Sequence, residues 1–373
     1  MNLLKLSSNN KLRKNRFLLN MPFNKEVHMN KPKSIEFAAT WDKNILSLKK
    51  KKKRYLVKKF NLFFTKLPGI SHIRKKVINF YEHCIIPSYV EFTPSEIKEI
   101  SNNFDKFWYS DTNHILKDHF RAIPFDIKTP DNKKIDATYL KHKLSKTEKT
   151  PLLIIFQPNR SLYKQAKINY LLEKIIKIDK PLDILFFDYR GCGLSTGKPK
   201  NAKSLMIDGA SVYQMAKDYL CKKDNLIYMY GFSLGGAISA YVKKLYQNNA
   251  KYINERSFSS SEKVIKENIN KSFTRLISYG ANKLGWNFSI KDIWCDLLGK
   301  KLVIYHPDDP IIKNAHLAKE KNILNDKNTK FVKLTFLIDE NLSVSNHHAE
   351  PLFHYQDARG NDVTNDILEF LFS

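Results

Sequence analysis

The stretch from Asn225 to Leu245 constrains the fold of this chain more than any other. It begins with the apolar run Leu226 to Tyr230, whose β-branched and aromatic content predicts a buried strand, and it resumes at Ala237 with helical spacing. Between strand and helix lies Gly231-Phe232-Ser233-Leu234-Gly235, a G-x-S-x-G. A serine at such a corner has a strained backbone, so the residues two positions away must be nearly free of side chain. The stretch therefore predicts a nucleophile elbow that presents Ser233.

The basic charge is concentrated in the first fifth of the chain. Residues 1–76 hold 21 Lys or Arg against 3 acidic residues, which is +18 of the formal net charge of +27. Residues 1–60 are predicted to be a basic, partly disordered arm, with its peak at Lys49 to Arg54. Apolar residues lie between these charges, so an anionic membrane surface is favoured over nucleic acid as a partner, and a merely solvated arm stays an alternative.

The cysteines predict neither a metal site nor a disulfide framework. Cys84, Cys192, Cys221 and Cys295 are widely spaced and form no C-x-x-C pair. No organic cofactor is expected either. The loop Arg190 to Lys198 is not predicted to bind a nucleotide, because it has Cys192 where a phosphate loop needs glycine. The sequence shows no classical signal peptide and no apolar run long enough to span a membrane. The expected location is the cytoplasm, and a protein of this kind that left the cell would use a non-classical route.

A helical extension is predicted over residues 61–119. Within it, Thr93-Pro94-Ser95-Glu96 has the pattern of a helix start, with Thr93 as N-cap and Glu96 completing a capping box. The aromatic residues that follow, Phe104, Phe107 and Trp108, are expected to be buried against the rest of the chain.

From residue 120 to 373 the pattern alternates between strands and helices, which predicts a mostly parallel sheet covered by helices on both faces. Ala122–Thr129 and Lys134–His142 form a predicted hairpin about the turn Pro130-Asp131-Asn132. Further strands are predicted at Leu152–Phe156, Leu182–Tyr189, Glu255–Ser259, Lys301–Tyr305 and Phe331–Ile338. Helices are predicted at Gln165–Ile176, Ala202–Cys221, Ser261–Gly280 and Asp362–Phe372. The amphipathic helix 261–280 is either a packing helix or a cap over the site.

A serine nucleophile needs a histidine base and an acid that orients this histidine. The strand Lys301–Tyr305 leads into His306-Pro307-Asp308-Asp309, where Asp309 is the favoured acid and Asp308 the alternative. The strand Phe331–Ile338 is followed by His347-His348, of which His348 is the favoured base and His347 the reserve.

The oxyanion formed by attack on a carbonyl needs two main-chain N–H donors. Leu234, directly after the serine, is expected to supply one of them. The loop after Leu152–Phe156 should supply the other, and Asn159 is the predicted donor because Pro158 has no N–H. In proteins with a nucleophile elbow, the loop after this strand often contains a His-Gly pair. This chain has Gln157-Pro158 there instead.

Four segments give the chain a resemblance to α/β-hydrolases of the serine-hydrolase type over about residues 120–372. They are YGFSLGG, FFDYRGCGLSTGKP, YHPDDPII and HHAEPL. The FFDYRGCGLSTGKP loop and the RSFSS segment are also similar to a bacterial group that includes CHLPS-type hydrolases and Sid/Sdb-type effectors of intracellular bacteria. The resemblance implies an α/β-hydrolase fold and an esterase or lipase that acts inside a host cell.

These observations together predict a serine hydrolase that cleaves carboxylic esters through an acyl-enzyme. Its substrate is an acyl ester, with lipases, phospholipases and acyl-thioesterases among the candidate activities. The alternative is a non-catalytic α/β-hydrolase scaffold used for membrane or protein interaction. A nucleic-acid binder is not expected, because the chain lacks a helix-turn-helix pattern or an aromatic platform.

Overall fold

The structure, a computed structural model, describes residues 92–109, 115–146, 148–165, 169–178, 180–269, 271–337 and 346–373. The predicted basic arm, residues 1–60, lies outside this part of the chain, and so does most of the predicted extension 61–119. Among the residues described, no helix is long and apolar enough to cross a membrane.

Eight strands form one central sheet. In chain order they are β1 (Phe120–Lys128), β2 (Lys134–His142), β3 (Leu152–Phe156), β4 (Asp183–Phe187), β5 (Ile227–Phe232), β6 (Tyr252–Glu255), β7 (Lys301–Tyr305) and β8 (Thr329–Lys333). Their spatial order is β1-β2-β4-β3-β5-β6-β7-β8. The pairs β1–β2 and β2–β4 are antiparallel, and all other pairs are parallel. Strand β5 therefore lies at the centre of the parallel part of the sheet, with β3 and β6 on its two sides.

Helices cover both faces of the sheet. They are α1 (Pro94–Tyr109), α2 (Ile115–His119), α3 (Asn169–Lys177), α4 (Ala202–Asp218), α5 (Leu234–Leu245), α6 (Ser261–Asn268), α7 (Lys271–Leu284), α8 (Lys321–Leu324) and α9 (Val363–Phe372). A small second sheet pairs β9 (Phe336–Leu337) with β10 (Tyr355–Gln356). One core cluster packs α3 and α9 against alternate residues of β3, β4 and β5. The predicted mostly parallel sheet with helices on both faces is confirmed.

The start of α1 confirms the predicted capping box. The Thr93 N–H donates to Glu96 Oε2 at 2.6 Å, and the Glu96 N–H donates to Thr93 Oγ1 at 3.3 Å. Trp108 is buried, and Phe104 and Phe107 pack against the same core cluster, as expected for this aromatic stripe.

Several predicted boundaries were wrong. The predicted strand Glu255–Ser259 is instead β6, Tyr252–Glu255, which ends where the prediction began. The predicted helix Ser261–Gly280 is two helices, because Ile269 adopts extended backbone after α6. The predicted strand Phe331–Ile338 divides into β8 and the short β9. The predicted closing helix is confirmed, with Asp362 as its N-cap accepting the Thr364 N–H.

Candidate active site

Ser233 lies at the corner between β5 and α5. Its backbone has φ 51° and ψ −117°, a left-handed conformation that strains any residue with a side chain. The corner closes tightly, because a Cβ on Gly231 would lie 2.5 Å from the Gly235 main-chain oxygen, and a Cβ on Gly235 would lie 2.0 Å from the Phe156 oxygen. The glycines of the motif are therefore required by close approach, and Ser233 stands at the carboxyl end of the central strand.

Ser233, His348 and Asp309 are joined by hydrogen bonds in series. The Ser233 Oγ lies 2.9 Å from His348 Nε2, and His348 Nδ1 lies 2.7 Å from Asp309 Oδ2. Asp309 follows β7 and His348 follows the β8–β9 region, so three loops at the carboxyl edge of the sheet meet here. Asp309 is 2% exposed and Ser233 is 7% exposed, so little water competes for these hydrogen bonds. The structure thus brings together the three residues that the sequence favoured.

The surroundings of Asp309 keep its carboxylate ionised. Burial by itself would raise the pKa of Asp309, but the hydrogen bond to His348 lowers it, and so do the Ile312 and Ile311 amides. The net result is a pKa below the ordinary value of an aspartate. The two amides donate to Oδ1 at 2.8 and 2.9 Å, which leaves Oδ2 for the imidazole. A fixed carboxylate of this kind holds one histidine tautomer and one ring orientation.

The two reserve residues lie outside this series. Asp308 is exposed, and its main-chain N–H donates to His306 Nδ1 at 3.0 Å, as in a turn. The His347 ring points elsewhere, with Nδ1 2.8 Å from the Tyr355 hydroxyl. It also stacks on the His306 ring at a centroid distance of 3.9 Å.

Arg256 contacts the site and was not singled out from the sequence. It is 3% exposed and has φ 42°. Its Nη1 donates to the main-chain oxygens of His347 and Glu350 at 2.7 and 2.6 Å, on either side of His348. Its guanidinium carbon lies 4.8 Å from the centre of the Phe232 ring, next to Ser233 in the chain.

Glu255 balances the buried charge of Arg256. It accepts from Arg256 Nε at 2.9 Å and from Arg256 Nη2, and its other oxygen accepts from the Tyr230 hydroxyl. The sequence signal for this group was a charged pair, Glu255-Arg256, at the end of the strand that contains Tyr252 and Ile253.

The predicted oxyanion donors lie on adjoining segments. Leu234 is the first residue of α5, where main-chain N–H groups have no acceptor within the helix. The start of α5 packs on the exit of β3, since a Cβ on Gly235 would also lie 2.7 Å from the Gln157 oxygen. Asn159 is two residues further along that exit, partly buried, with its side-chain oxygen accepting the Arg160 N–H at 3.1 Å. Their pairing as an oxyanion hole stays a prediction.

A cavity of about 260 Å3 lies near Ser233 and His348, although neither residue lines it. Its wall contains Phe232, which precedes Ser233, and Ala349, which follows His348. Gln157 and Pro158, at the exit of β3, form another side. Within the parts of the chain given above, no group of three His, Cys, Asp or Glu side chains is arranged to hold a metal ion.

Similarity to solved structures supports the fold. An acetyl xylan esterase from Paenibacillus sp. R4 aligns with a TM-score of 0.51 at 14% identity, over 78% of this chain and 98% of that chain. Acetyl xylan esterase 1 from Thermoanaerobacterium sp. JW/SL YS485 aligns at 0.48 and 17% identity, over 80% and 98%. An alpha-beta hydrolase from Vibrio vulnificus aligns at 0.48 and 14% identity, over 75% and 93%. No protein-family model and no curated protein matches the chain. The strand order and the likeness to the Paenibacillus structure identify an α/β-hydrolase fold.

Proposed function

We propose that this chain is a serine hydrolase that cleaves carboxylic esters through an acyl-enzyme. The observation that carries the proposal is the series Ser233 Oγ, His348 Nε2, His348 Nδ1 and Asp309 Oδ2, with spacings of 2.9 and 2.7 Å. A histidine within hydrogen-bond reach of a serine and oriented by a buried carboxylate is the arrangement that activates a hydroxyl. The Paenibacillus protein of the same fold is named as an esterase, and an ester is the substrate class that we propose here.

In the proposed mechanism, Ser233 Oγ attacks the ester carbonyl while His348 Nε2 takes the hydroxyl proton. Asp309 holds the ring and stabilises the imidazolium that forms. The Leu234 and Asn159 amides donate to the oxyanion of the tetrahedral intermediate. Collapse of this intermediate expels the alcohol, which receives the proton from His348. Water then attacks the acyl-enzyme by the same route and releases the acid.

Labelling with a fluorophosphonate probe tests the proposal. Folded wild-type protein should be labelled, Ser233→Ala should not, and Ser211→Ala should be labelled like wild type. Ser211 is a matched control because it lies in α4, where its hydroxyl donates to the Ile207 main-chain oxygen. Unlabelled wild-type protein would favour the non-catalytic scaffold instead.

The narrower predictions of a lipid substrate, an anionic membrane surface and an effector role in a host cell rest on the basic arm and on the resemblance. They stay predictions, since the arm lies outside the described residues. Sedimentation with vesicles that contain anionic lipid tests the membrane surface. The prediction fails if a chain without residues 1–60 sediments as fully as the whole chain.

A further inference from the structure

The cavity is lined by chain neighbours of three residues that the proposed reaction uses. Its wall residues Phe232, Ala349 and Pro158 are the immediate chain neighbours of Ser233, His348 and Asn159. The space therefore lies near Ser233, although Ser233, His348 and Asn159 do not themselves line it. The cavity extends to the side of the sheet where α3 and α9 pack, because Leu171 and Ile367 line it.

The size and lining of the cavity limit what it can hold. Its volume of about 260 Å3 is slightly below the range of roughly 300–1,000 Å3 that is usual for pockets of drug-sized ligands. Apolar side chains form most of its surface, among them Ile155, Leu171, Leu352 and Ile367. Such a space suits a compact and mainly apolar group rather than a long hydrocarbon chain.

Gln157 lines this cavity and carries a hydrogen-bond donor that has no acceptor within the described residues. The residue is 3% exposed, and its Nε2 has no hydrogen-bond acceptor among the residues of the described ranges. Buried amide groups are nearly always paired, so an unpaired one next to a cavity indicates a missing acceptor. The positively charged donor in the wall, Arg256, already donates to Glu255 and to two main-chain oxygens. Because Glu255 neutralises Arg256, the cavity favours a neutral oxygen over an anion.

We propose that this cavity is the acyl pocket, and that Gln157 Nε2 donates to an oxygen carried by the acyl chain. The substrate class is then an ester of a short acid with a second neutral oxygen, such as an ether, hydroxyl or carbonyl. The acyl part is assigned to the cavity because it stays on Ser233 after the first step, while the alcohol must leave and water must reach His348. This inference rests on the proposed function of Ser233.

A pair of esters of nearly equal shape tests the role of Gln157. p-Nitrophenyl methoxyacetate has an ether oxygen where p-nitrophenyl butyrate has a methylene. The ratio of kcat/KM for methoxyacetate to that for butyrate should fall about five- to tenfold in Gln157→Leu, the loss expected for one neutral hydrogen bond. Intrinsic reactivity of the two esters cancels between variant and wild type. Gln214→Leu, on the surface of α4 where the amide pairs with Asp218, should leave the ratio unchanged.

An unchanged ratio in a folded Gln157→Leu protein that the fluorophosphonate still labels would overturn the role of Gln157 and leave the proposed function standing. Absence of labelling in the wild type would overturn both. If Gln157→Leu does not fold, a series of acyl esters assayed with the wild-type protein tests the size of the pocket. kcat/KM should be highest for short and medium acyl groups and fall at dodecanoate and longer chains, whereas equal rates across the series would reject a compact pocket.

A filled cavity tests the assignment to the acyl side. Ile367→Phe adds volume to the α9 wall and should reduce kcat/KM for butyrate more than for acetate. With the acyl group fixed as acetate, changing the alcohol should give the same relative rates in variant and wild type. A variant that alters the alcohol series and not the acyl series would overturn the assignment.

Discussion

Arg256 binds the main-chain oxygen of Glu350 at 2.6 Å, and through this contact a residue at the end of β6 fixes the loop that carries His348. The same nitrogen donates to the oxygen of His347 at 2.7 Å, so the loop is held on both sides of the proposed base. The guanidinium also packs on the Phe232 ring, which contacts the His348 ring at a centroid distance of 5.4 Å. Arg256 therefore acts as a positioning residue for the hydrogen bond between His348 and Ser233.

Replacing Arg256 should lower kcat with little effect on KM. Arg256→Lys keeps the charge but loses the planar fork that reaches Glu255 and the loop carbonyls at once. A displacement of the histidine by about 1 Å costs on the order of a hundredfold in rate, and we expect a loss of this size. Steady-state kinetics on a short-chain p-nitrophenyl ester, with thermal melting to confirm folding, measure it. A folded Arg256→Lys enzyme with wild-type kcat would show that the loop needs no such support.

Asp309 and Asp308 are adjacent in the chain, so replacing each by Asn gives a matched pair of variants. Asp309→Asn keeps the shape of the side chain but stabilises the wrong histidine tautomer, and comparable changes in serine hydrolases cost about 10⁴-fold in kcat. Asp308→Asn should stay close to wild type, because the Asp308 side chain is exposed and its main-chain N–H donates to His306 rather than to Ser233 or His348. Equal losses in the two variants would contradict the assignment of Asp309.

His348 and His347 form a second matched pair. His348→Gln removes the proposed base and should abolish turnover and fluorophosphonate labelling at neutral pH. His347→Gln should retain labelling, because the His347 ring pairs with Tyr355 and stacks on His306 rather than contacting Ser233. Labelling that survives in His348→Gln and disappears in His347→Gln would reverse the assignment.

Much of the sheet could be predicted from the sequence because its strands are buried on both faces. Such strands appear as short continuous apolar runs, and the bounds of β3 and β7 match the predictions. The prediction of a strand at Glu255–Ser259 was wrong because this mostly polar segment has neither the continuous apolar run nor the alternating pattern of a strand. Their conformation depends on neighbours, since the Arg256 N–H donates to Ile304 and the Ser259 N–H to Ala315.

The site likewise contains residues that could be predicted from the sequence and contacts that could not. Ser233, Asp309 and His348 follow recognisable strands, so their order along the chain and their loops indicated which residues would meet. The contacts of Arg256 join β6 to a loop more than 90 residues later, with separations of 91 and 94 positions. No local pattern encodes such a pairing. The unpaired amide of Gln157 is likewise visible only once the surrounding side chains have been placed.

Gly235→Ala should destabilise the fold although it improves helix propensity. Alanine is favoured over glycine within helices by about 1 kcal/mol, so an isolated α5 would gain stability. In the folded protein the new methyl would lie 2.0 Å from the Phe156 oxygen, which forces α5 away from β3. Overpacking of this kind costs about 1–3 kcal/mol. Urea unfolding measures the change. An unfolding free energy equal to or above that of wild type would show that α5 can move away from β3 without loss of stability.

His306 should make the stability of the fold depend on pH in the acid range. Burial lowers the pKa of His306 to about 4 from an ordinary value of 6.5, and the His347 ring stacked on it adds to the effect. Its Nδ1 accepts the Asp308 N–H, a bond that a doubly protonated ring cannot make.

Between pH 6.5 and 4, the unfolded chain therefore takes up a proton at this residue that the folded chain does not. The free energy of unfolding should fall as the pH drops through this range, and this residue should cause no change above it. The contribution of His306 at pH 5 is a loss of about 2 kcal/mol relative to pH 7. Urea unfolding of wild type and His306→Gln at both pH values isolates it, since the variant should lose less stability on acidification by that amount. Identical losses in the two proteins would mean that the pKa of His306 is not lowered in the folded state.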